Sequence, residues 1–276
     1  SKGPAAINFT AGGGDDTVVY LNAADIANDT LAGGDGSNEL RFAGVTGSQT
    51  LSVPASVTNF GTFKISDSTG STAGTTNLGL DVSGATTAVS VIGNDGSNSL
   101  LSGDGNDTLA GGGGNNSIDG GAGYDTAVFS GNLILANLSF TGSTVSFIHA
   151  TGTDTLNSVE RLQFADKTVF LVSPSSGLSS IQAAIDAASP GDVVYVLEGT
   201  YSESLLVNKA NLTIKSAFGP ASTTIQGVAA TGETVRFAAN GVTLDGFTID
   251  NLDAADGRAV APGSSIGATI TNNVFV

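Results

Sequence analysis

A run of glycine, asparagine and aspartate at residues 93–128 holds the residue types that could bind a hard cation. It divides without remainder into four nine-residue units. Each unit fits, with substitutions, a pattern of glycine at positions one, two and four, aspartate or asparagine at six, and an apolar residue at eight. Glycine lets the backbone turn tightly so that carbonyl oxygens converge, and a carboxylate adds the oxygen ligand that Ca²⁺ prefers. The period therefore predicts a calcium-binding parallel β-roll.

Two nine-residue units would make one coil, so sixth positions two units apart stack on the same edge. One edge then carries Asp107 and Asp125, and the other carries Asn98 and Asn116. Because asparagine offers one neutral oxygen, we expect tighter calcium sites along the aspartate edge. Third-position aspartates and first-position glycines complete the expected site: Asp95, Asp104, Gly93, Gly111 and Gly120.

Two further nonapeptide matches lie at 11–19 and 33–41. Their sixth positions are Asp16 and Asn38, and Asp35 takes the third position of the second match. We count all three as candidate calcium ligands. The alternative for residues 93–128 is a flexible linker, but a linker lacks a fixed period with an apolar eighth position.

Residues 42–92 lose the glycine pattern but keep short alternating segments. Such alternation predicts half-buried strands, here at 50–53, 62–65, 78–82 and 88–92. We therefore predict one all-β solenoid from about residue 5 to 130. Its calcium-type turns occur only in places, with a half-match at 28–31.

Residues 131–172 read as a closing β-element with strands at 132–135, 138–140, 144–148 and 169–172. His149 is the only histidine, and the chain has no cysteine. No second such residue can join His149 in a catalytic site, so we interpret it as a partly exposed strand residue. Residues 173–178 read as a linker and the domain boundary.

Residues 179–276 predict the start of a right-handed parallel β-helix. Ser179 and Gln182 form a capping box for a short helix, which suits covering the first open coil. Strand-like segments follow, and Leu212–Ile214, Val242–Leu244 and Ala268–Ile270 recur at a spacing typical of repeat folds. The pattern stops at the last residue inside a strand-like segment, so we expect a truncated piece of a longer protein.

Composition bounds the partners and the compartment. The net charge of −16 argues against nucleic acid and anionic membranes, and fits acids neutralised by bound cations. With no cysteine, neither a disulfide framework nor a thiol metal site is possible. No signal peptide or transmembrane run is visible in the sequence. The cysteine-free, acidic, lysine-poor composition fits an extracellular bacterial protein.

The nonapeptides resemble the RTX (repeats-in-toxin) proteins that bacteria export by type I secretion. Residues 154–166 resemble the segment that commonly follows RTX nonapeptides. The interrupted solenoid at 42–92 resembles RTX surface-layer and adhesin-like proteins more than haemolysins. This resemblance implies a secreted or cell-surface location, with Ca²⁺ as a ligand that drives folding.

Residues 179–215 resemble the first coil of pectin-lyase-like β-helices, through Ile181–Ala188, Gly191–Val196 and Gly199–Tyr201. That fold hosts lyases, epimerases, hydrolases and non-enzymes, so it implies no single activity. Bacterial alginate epimerases combine both modules. Their β-helix usually comes first, however, and carries an Asp-Pro-His-Glu stretch that is absent here.

Two sets of residues receive a non-functional interpretation. Late acidic residues could form a carboxylate pair for acid–base chemistry or bind another cation: Asp245, Asp250, Asp253 and Asp256, with Arg236 and Arg258 nearby. We favour solvated turn residues, because aspartate is a common turn former. Asn-x-Ser/Thr tripeptides such as Asn211–Thr213 are likewise interpreted as turn chemistry.

The sequence therefore favours a secreted, calcium-dependent structural or adhesive bacterial surface protein. An open last coil predicts stacking by other copies of the chain into a layer or filament, and extracellular polysaccharide is a further candidate partner. The alternatives are a fragment of a uronate lyase or epimerase, and a carbohydrate-binding β-helix module. Neither nucleic acid nor membrane insertion is expected.

Overall fold

The computed structural model describes residues 6–44, 47–228, 232–251, 257–261, 263 and 265–276. Within this part of the chain the fold is almost entirely β, which confirms the predicted class, and the single α-helix has seven residues. None of the described helices has the length and apolar character needed to cross a membrane. Contacts divide the chain into two units. The first comprises Ser1–Phe129, Ile134–Ser139 and Thr144–Val159; the second comprises Ser130–Leu133, Phe140–Ser143 and Glu160–Val276.

The first unit is a solenoid of short strands. In chain order the strands are β1 (Asn8–Thr10), β2 (Thr17–Tyr20), β3 (Thr30–Ala32), β4 (Glu39–Phe42), β5 (Gln49–Ser52), β6 (Val57–Thr58), β7 (Thr62–Ile65), β8 (Leu78–Asp81), β9 (Ser90–Ile92), β10 (Ser99–Leu101), β11 (Thr108–Ala110), β12 (Ser117–Asp119), β13 (Thr126–Val128), β14 (Leu138–Thr141), β15 (Thr144–His149) and β16 (Gly152–Asn157). The residues of β14 divide between the two units. Two 3₁₀ turns lie at Ala23–Asp25 and Leu135–Asn137.

Parallel pairing stacks these strands into faces. One face runs β2-β4-β7-β9-β11-β13, a second runs β5-β8-β10-β12-β16, and a short third runs β1-β3-β6. The eighth positions of the nonapeptides align in register: Leu109 pairs with Ala127, and Leu100 pairs with Ile118. All four side chains are buried. Each three-residue strand thus places one apolar side chain in the core.

This thin core leaves much of the stability to the turns. A fully buried leucine or isoleucine contributes roughly 1.5–3 kcal/mol. Three of the four nonapeptides have one such residue at the eighth position and the fourth has Ala127, set against the conformational entropy of nine ordered residues in each unit. How the turns satisfy their polar groups therefore decides whether the nonapeptides fold.

One predicted strand is wrong. Residues 132–135 form no strand, and the chain instead enters the 3₁₀ turn at Leu135–Asn137. Ile134 and Leu135 are exposed, and the Leu133 N–H donates to the Asp166 carboxylate at 2.8 Å and not to a neighbouring strand. The segment is exposed and held by a side-chain carboxylate, and tertiary context of this kind overrides local β-propensity.

The second unit is a parallel β-helix. Its elements are β17 (Arg161–Gln163), β18 (Thr168–Val172), α1 (Ile181–Ala187), β19 (Val193–Val196), β20 (Gly199–Ser202), β21 (Leu205–Val207), β22 (Thr213–Ser216), β23 (Thr223–Gln226), β24 (Glu233–Phe237), β25 (Thr243–Asp245), β26 (Thr248–Asp250), β27 (Arg258–Ala261), β28 (Thr269–Thr271) and β29 (Val274–Phe275). Three parallel stacks result: β18-β19-β22-β25-β28, β20-β23-β26-β29 and β21-β24-β27. Residues 173–178 lie inside this unit, between β18 and α1.

The start of α1 differs from the predicted capping box. The N-cap is Ser180 and not Ser179, and the Ser180 side chain accepts from the Ala183 N–H at 3.1 Å. Glu203 replaces the expected local partner, because its carboxylate accepts from the N–H groups of Ile181 and Gln182 at 2.7 and 3.0 Å. A carboxylate at a helix N-terminus satisfies donors that have no partner within the helix.

Candidate calcium-binding turns

Sixth-position side chains form a hydrogen-bonded ladder along the edge that precedes β9, β11 and β13. Asp107 Oδ1 accepts from the Val89 N–H at 2.8 Å, and Asp125 Oδ1 accepts from the Asp107 N–H at 2.7 Å. Both aspartates are almost fully buried, at 1% and 0% exposure. The structure therefore brings Asp107 and Asp125 together, one above the other, where like charges repel.

The second oxygen of Asp107 is the unusual feature of this edge. Oδ2 is buried and finds no hydrogen-bond donor in the described part of the chain. Burying a carboxylate oxygen without a partner costs several kcal/mol in real proteins. A divalent cation beside this oxygen would compensate its charge, and hard oxygen ligands suit Ca²⁺. The residues present thus fit a calcium ion.

The same edge continues towards the N-terminus. In register, its successive sixth positions are Asp16, Asn38, Gly61, Val89, Asp107 and Asp125. Asn38 Oδ1 accepts from the Asp16 N–H at 3.0 Å, and Asp16 Oδ2 is again a buried oxygen without a donor among the described residues. Two carboxylate-bearing stretches therefore share one edge, with Gly61 and Val89 between them.

The asparagine edge satisfies itself. Asn116 Oδ1 accepts from the Asn98 N–H at 2.9 Å, and the ladder geometry matches that of the aspartate edge. The Asn98 Nδ2 donates to Leu78 O at 3.2 Å and to Asn94 Oδ1 at 3.0 Å. The Asn116 Nδ2 donates to Gly113 O at 3.1 Å. Amide N–H groups here bind oxygens that a cation would otherwise bind.

Asp154 extends the asparagine edge and was not among the predicted site residues. Its Oδ1 accepts from both the Asn116 N–H and the Asn116 Nδ2 at 2.8 Å. β16 pairs with β12 so that Leu156 follows Ile118, which places Asp154 at a sixth position. The signal was present in the sequence, since Gly152, Asp154 and Leu156 repeat positions four, six and eight. The β15 insertion interrupts the period and hides it.

His149 lies against this carboxylate. The His149 Nε2 is 3.3 Å from Asp154 Oδ1, and its ring stacks on Phe147. Burial raises the pKa of the Asp154 carboxyl, while the Asn116 N–H and the nearby His149 act in the opposite direction. The only histidine of the chain is therefore a half-buried strand residue beside a structural carboxylate.

Two other aspartates show how the fold satisfies a second oxygen without a cation. In the first unit, Asp29 Oδ1 accepts from the Ile7 N–H at 2.8 Å and its Oδ2 accepts from the Tyr20 hydroxyl at 2.6 Å. In the second unit, Asp192 accepts from the Thr168 and Ser189 N–H groups, both at 2.8 Å. Asp107 has the first kind of hydrogen bond but not the second. This difference separates candidate ligands from structural aspartates.

The third-position aspartates point elsewhere. The side chains of Asp35, Asp95 and Asp104 are exposed, so the structure does not bring them to the buried edges. Their backbone takes part in turn stacking: Asp35 O accepts from the Gly14 N–H at 3.1 Å, and the Asp104 N–H donates to Ala85 O at 2.8 Å. Any contribution to a cation would come from the backbone carbonyls of these turns.

The first-position glycines make room for the sixth-position side chains. A Cβ on Gly93 would lie 2.5 Å from Asn98 Oδ1, and one on Gly111 would overlap the Asn116 amide. A Cβ on Gly120 would lie 2.7 Å from Asp125 Oδ2 and would collide with Ser158 O. At these three positions glycine leaves the space in which the sixth-position carboxylate or amide folds back over its own turn, whereas the second nonapeptide has Ser102 at its first position.

In the described ranges no three His, Cys, Asp or Glu side chains gather as a metal site. A cation in these turns would thus be held mainly by carbonyl oxygens with one or two carboxylates. Within the described residues, the late acidic residues Asp245 and Asp250 do not form a site either. Asp245 pairs with Lys215 at 3.0 Å in one stack, while Asp250 accepts from Gln226 at 3.1 Å in another. Asp253 and Asp256 lie outside the described residues.

The Asp245 carboxyl is held in its charged form. Partial burial raises its pKa, but hydrogen bonds from Asn272 and Lys215 outweigh that effect and leave the pKa below its ordinary value. A group poised for proton transfer near neutral pH needs a shift in the other direction. Asp245 therefore has the character of an ion-pair residue.

Comparison with known proteins bears on the stacked turns. A family model described as the RTX calcium-binding nonapeptide repeat matches residues 24–41 and 92–127, in four copies. The chain carries RTX calcium-binding repeats. The RTX match covers both edges of the 93–128 coils, whereas Asp16 and Asp154 lie outside it. The RTX resemblance drawn from the sequence is confirmed, and the pectin-lyase resemblance stays a prediction.

One curated relative of the chain is a cell surface glycoprotein from Methanothermus fervidus. The two are 35% identical over 103 residues, which is 37% of this chain and 16% of the relative. The matched region thus spans less than a fifth of the relative's length. No solved structure gives a significant match to the chain.

Proposed function

We propose that this chain is a calcium-dependent structural or adhesive module of a secreted, cell-surface protein. In this proposal Ca²⁺ is a folding ligand and not a catalyst. One observation carries it: Asp107 is buried, hydrogen-bonded through one oxygen, and without a donor at the other. The RTX repeats and the surface-protein relative support the same conclusion.

The proposal explains why folding would wait for the extracellular side. Without calcium, stacked carboxylates in a chain of net charge −16 repel one another. A cation that binds only the folded turns stabilises them by mass action, by about 2.7 kcal/mol at a hundred times its dissociation constant. Extracellular calcium modules are typically tuned to roughly 10⁻⁴–10⁻³ M, well above cytoplasmic calcium.

Calcium removal tests the proposed function. We expect EGTA to erase much of the β signal of the first unit in far-UV circular dichroism, because the aspartate turns lose their bridging cation. Millimolar Ca²⁺, but not Mg²⁺, should restore the signal. A spectrum that is unchanged by chelation, together with no heat of calcium binding in calorimetry, would sink the proposal.

The two edges are proposed to differ in calcium dependence. The Asn116→Asp substitution would remove the Nδ2 donor to Asp154 and place a second carboxylate against that buried one. Calcium-free stability should fall by about 3 kcal/mol or more, as for a broken buried charge network. Calorimetry should then detect calcium binding on this edge, beyond the wild-type stoichiometry.

Asn115→Asp is the matched control for this prediction. Asn115 is exposed, and an aspartate there can still accept from the Thr153 N–H, which bonds Asn115 Oδ1 at 2.8 Å. The control adds the same charge one residue away. We expect a change within about 0.5 kcal/mol. Equal effects of the two substitutions would show that net charge, and not the buried edge, matters.

The proposal also includes self-assembly, in which copies of the chain stack through their last strands. Ile270 and Phe275 continue the buried rows of Leu244 and Ile249 but are 41% and 51% exposed. Docking of another copy on these strand edges would cover them, as would further coils of a longer chain. Sedimentation velocity in calcium should show species larger than a monomer, and a stable monomer at high concentration would contradict the idea.

The enzyme alternative, a uronate lyase or epimerase, needs a separate test. A screen of uronate polymers for unsaturated products would detect lyase activity.

A further inference from the structure

Six Asn-x-Ser/Thr tripeptides occur in the chain, and such tripeptides are acceptors for N-linked glycans in secreted proteins. They begin at Asn8, Asn28, Asn106, Asn115, Asn137 and Asn211. The sequence alone cannot rank them and favours turn chemistry. The structure separates Asn106 and Asn115 from Asn137 by what each amide nitrogen contacts.

Two of these tripeptides occupy positions five to seven of stacked nonapeptides. In both, the asparagine and the hydroxyl residue are exposed while the middle residue is buried: Asn106 and Thr108 flank Asp107, and Asn115 and Ser117 flank Asn116. The groups that a transferase must reach therefore face solvent. The side chain of the middle residue, Asp107 or Asn116, is buried in the turn.

In both turns the hydrogen bonds leave Nδ2, the atom that would receive the sugar, without a partner among the described residues. Asn106 Oδ1 accepts from the Tyr124 N–H at 3.0 Å, and Asn115 Oδ1 accepts from the Thr153 N–H at 2.8 Å. Neither Nδ2 has a hydrogen bond within the described residues. An N-linked glycan keeps the amide oxygen as an acceptor, so modification at Nδ2 leaves the turn stacking intact.

Asn137 has the opposite arrangement. Its Nδ2 donates to Ile148 O at 2.8 Å, and the residue is half-buried. A glycan there would replace a hydrogen-bond donor next to β15. Asn137 is thus an internal negative control with the same sequence motif.

We propose that Asn106 and Asn115 are N-glycosylation sites and that Asn137 is not. This inference rests on the proposed cell-surface location, where a membrane transferase can present a lipid-phosphate-linked oligosaccharide. The amide nitrogen bonds to the anomeric carbon of the sugar, and the bond from that carbon to the phosphate oxygen breaks. The lipid phosphate leaves with the electron pair, and the amide releases one proton. Sugar and calcium then occupy adjacent residues on opposite sides of the turn.

Glycopeptide mass spectrometry of the protein from the surface of its producing organism tests the proposal. Residues 65–160 contain no lysine or arginine, so digestion needs thermolysin or an Asp-directed protease. We expect glycan mass on Asn106 and Asn115 and none on Asn137. Bare Asn106 and Asn115 would overturn the proposal, and a glycan on Asn137 would overturn the structural selection.

A matched pair of variants at the exposed Thr108 sharpens the test. Thr108→Ala removes the hydroxyl that the acceptor motif requires, while Thr108→Ser retains it. Only the alanine variant should lose the Asn106 glycan, and both should bind calcium like the wild type in calorimetry. A protein that binds calcium but carries no sugar would contradict the glycosylation proposal and leave the proposed function intact. A protein that carries sugar but binds no calcium would contradict the proposed function and leave the glycosylation proposal intact.

Discussion

Replacing Asp107 by asparagine should have opposite effects on stability with and without calcium. Without calcium, the substitution removes a buried carboxylate oxygen that has no donor, while its remaining oxygen still accepts from the Val89 N–H. The free energy of unfolding in EGTA should rise by about 1–3 kcal/mol, the usual cost of such an unsatisfied group. With calcium at a hundred times its dissociation constant, the variant should lose most of the roughly 2.7 kcal/mol that the ligand provides.

Urea unfolding of both proteins, in EGTA and in calcium at about a hundred times its dissociation constant, measures this crossover. Asp104→Asn is the control, because Asp104 lies in the same turn, its side chain is exposed, and the change in net charge is identical. We expect the control to stay within about 0.5 kcal/mol of the wild type in both conditions. If Asp107→Asn also destabilises the calcium-free protein, the Asp107 Oδ2 without a hydrogen-bond donor is not the reason that a cation binds in this turn.

The Gly120→Ala substitution should strongly destabilise the turn that holds Asp125. The added Cβ would lie 2.7 Å from Asp125 Oδ2 and would overlap Ser158 O, a backbone atom that cannot rotate away. Overpacking of this kind typically costs 1–3 kcal/mol and more where backbone must shift, so we expect a loss of about 3 kcal/mol or more. Calcium affinity should fall too, because Asp125 must leave its place above the turn.

Gly61→Ala is the control for steric crowding. Gly61 lies on the same edge, at the sixth-position level three coils before Asp125, and nothing lies within 4 Å of a Cβ there. This substitution should be neutral or stabilise by about 0.4–1 kcal/mol, through a less flexible unfolded chain. Thermal unfolding in calcium ranks the two variants. Similar melting temperatures would show that the space over Gly120 is not needed by Asp125.

The stacking of the 93–128 turns could be read from the sequence because their information is local. The apolar eighth positions recur every nine residues, and the structure pairs Leu100 with Ile118 and Leu109 with Ala127 accordingly. The stacking of Asp107 and Asp125 on one edge follows from the same nine-residue period. Where each coil has the same length, register needs no knowledge of distant contacts.

Residues that depend on long-range contacts could not be read this way. Asp154 joins the asparagine edge only after the β15 insertion, so the period breaks before the sixth position recurs. Glu203 caps α1 from the following strands. The Tyr20 hydroxyl satisfies Asp29, which a nonapeptide pattern alone would rank as a ligand. In each case tertiary placement of a side chain decides the role of a motif residue.

Hydrogen exchange of the full chain, followed by mass spectrometry in calcium and in EGTA, tests the central claim most directly. The account predicts that peptides from 93–128 exchange about a hundredfold faster in EGTA, the equivalent of losing about 2.7 kcal/mol of calcium stabilisation. Peptides covering β19 and β22, whose Asp192 carboxylate is fully hydrogen-bonded by the protein, should keep their protection. Equal protection of 93–128 in both conditions would contradict the account.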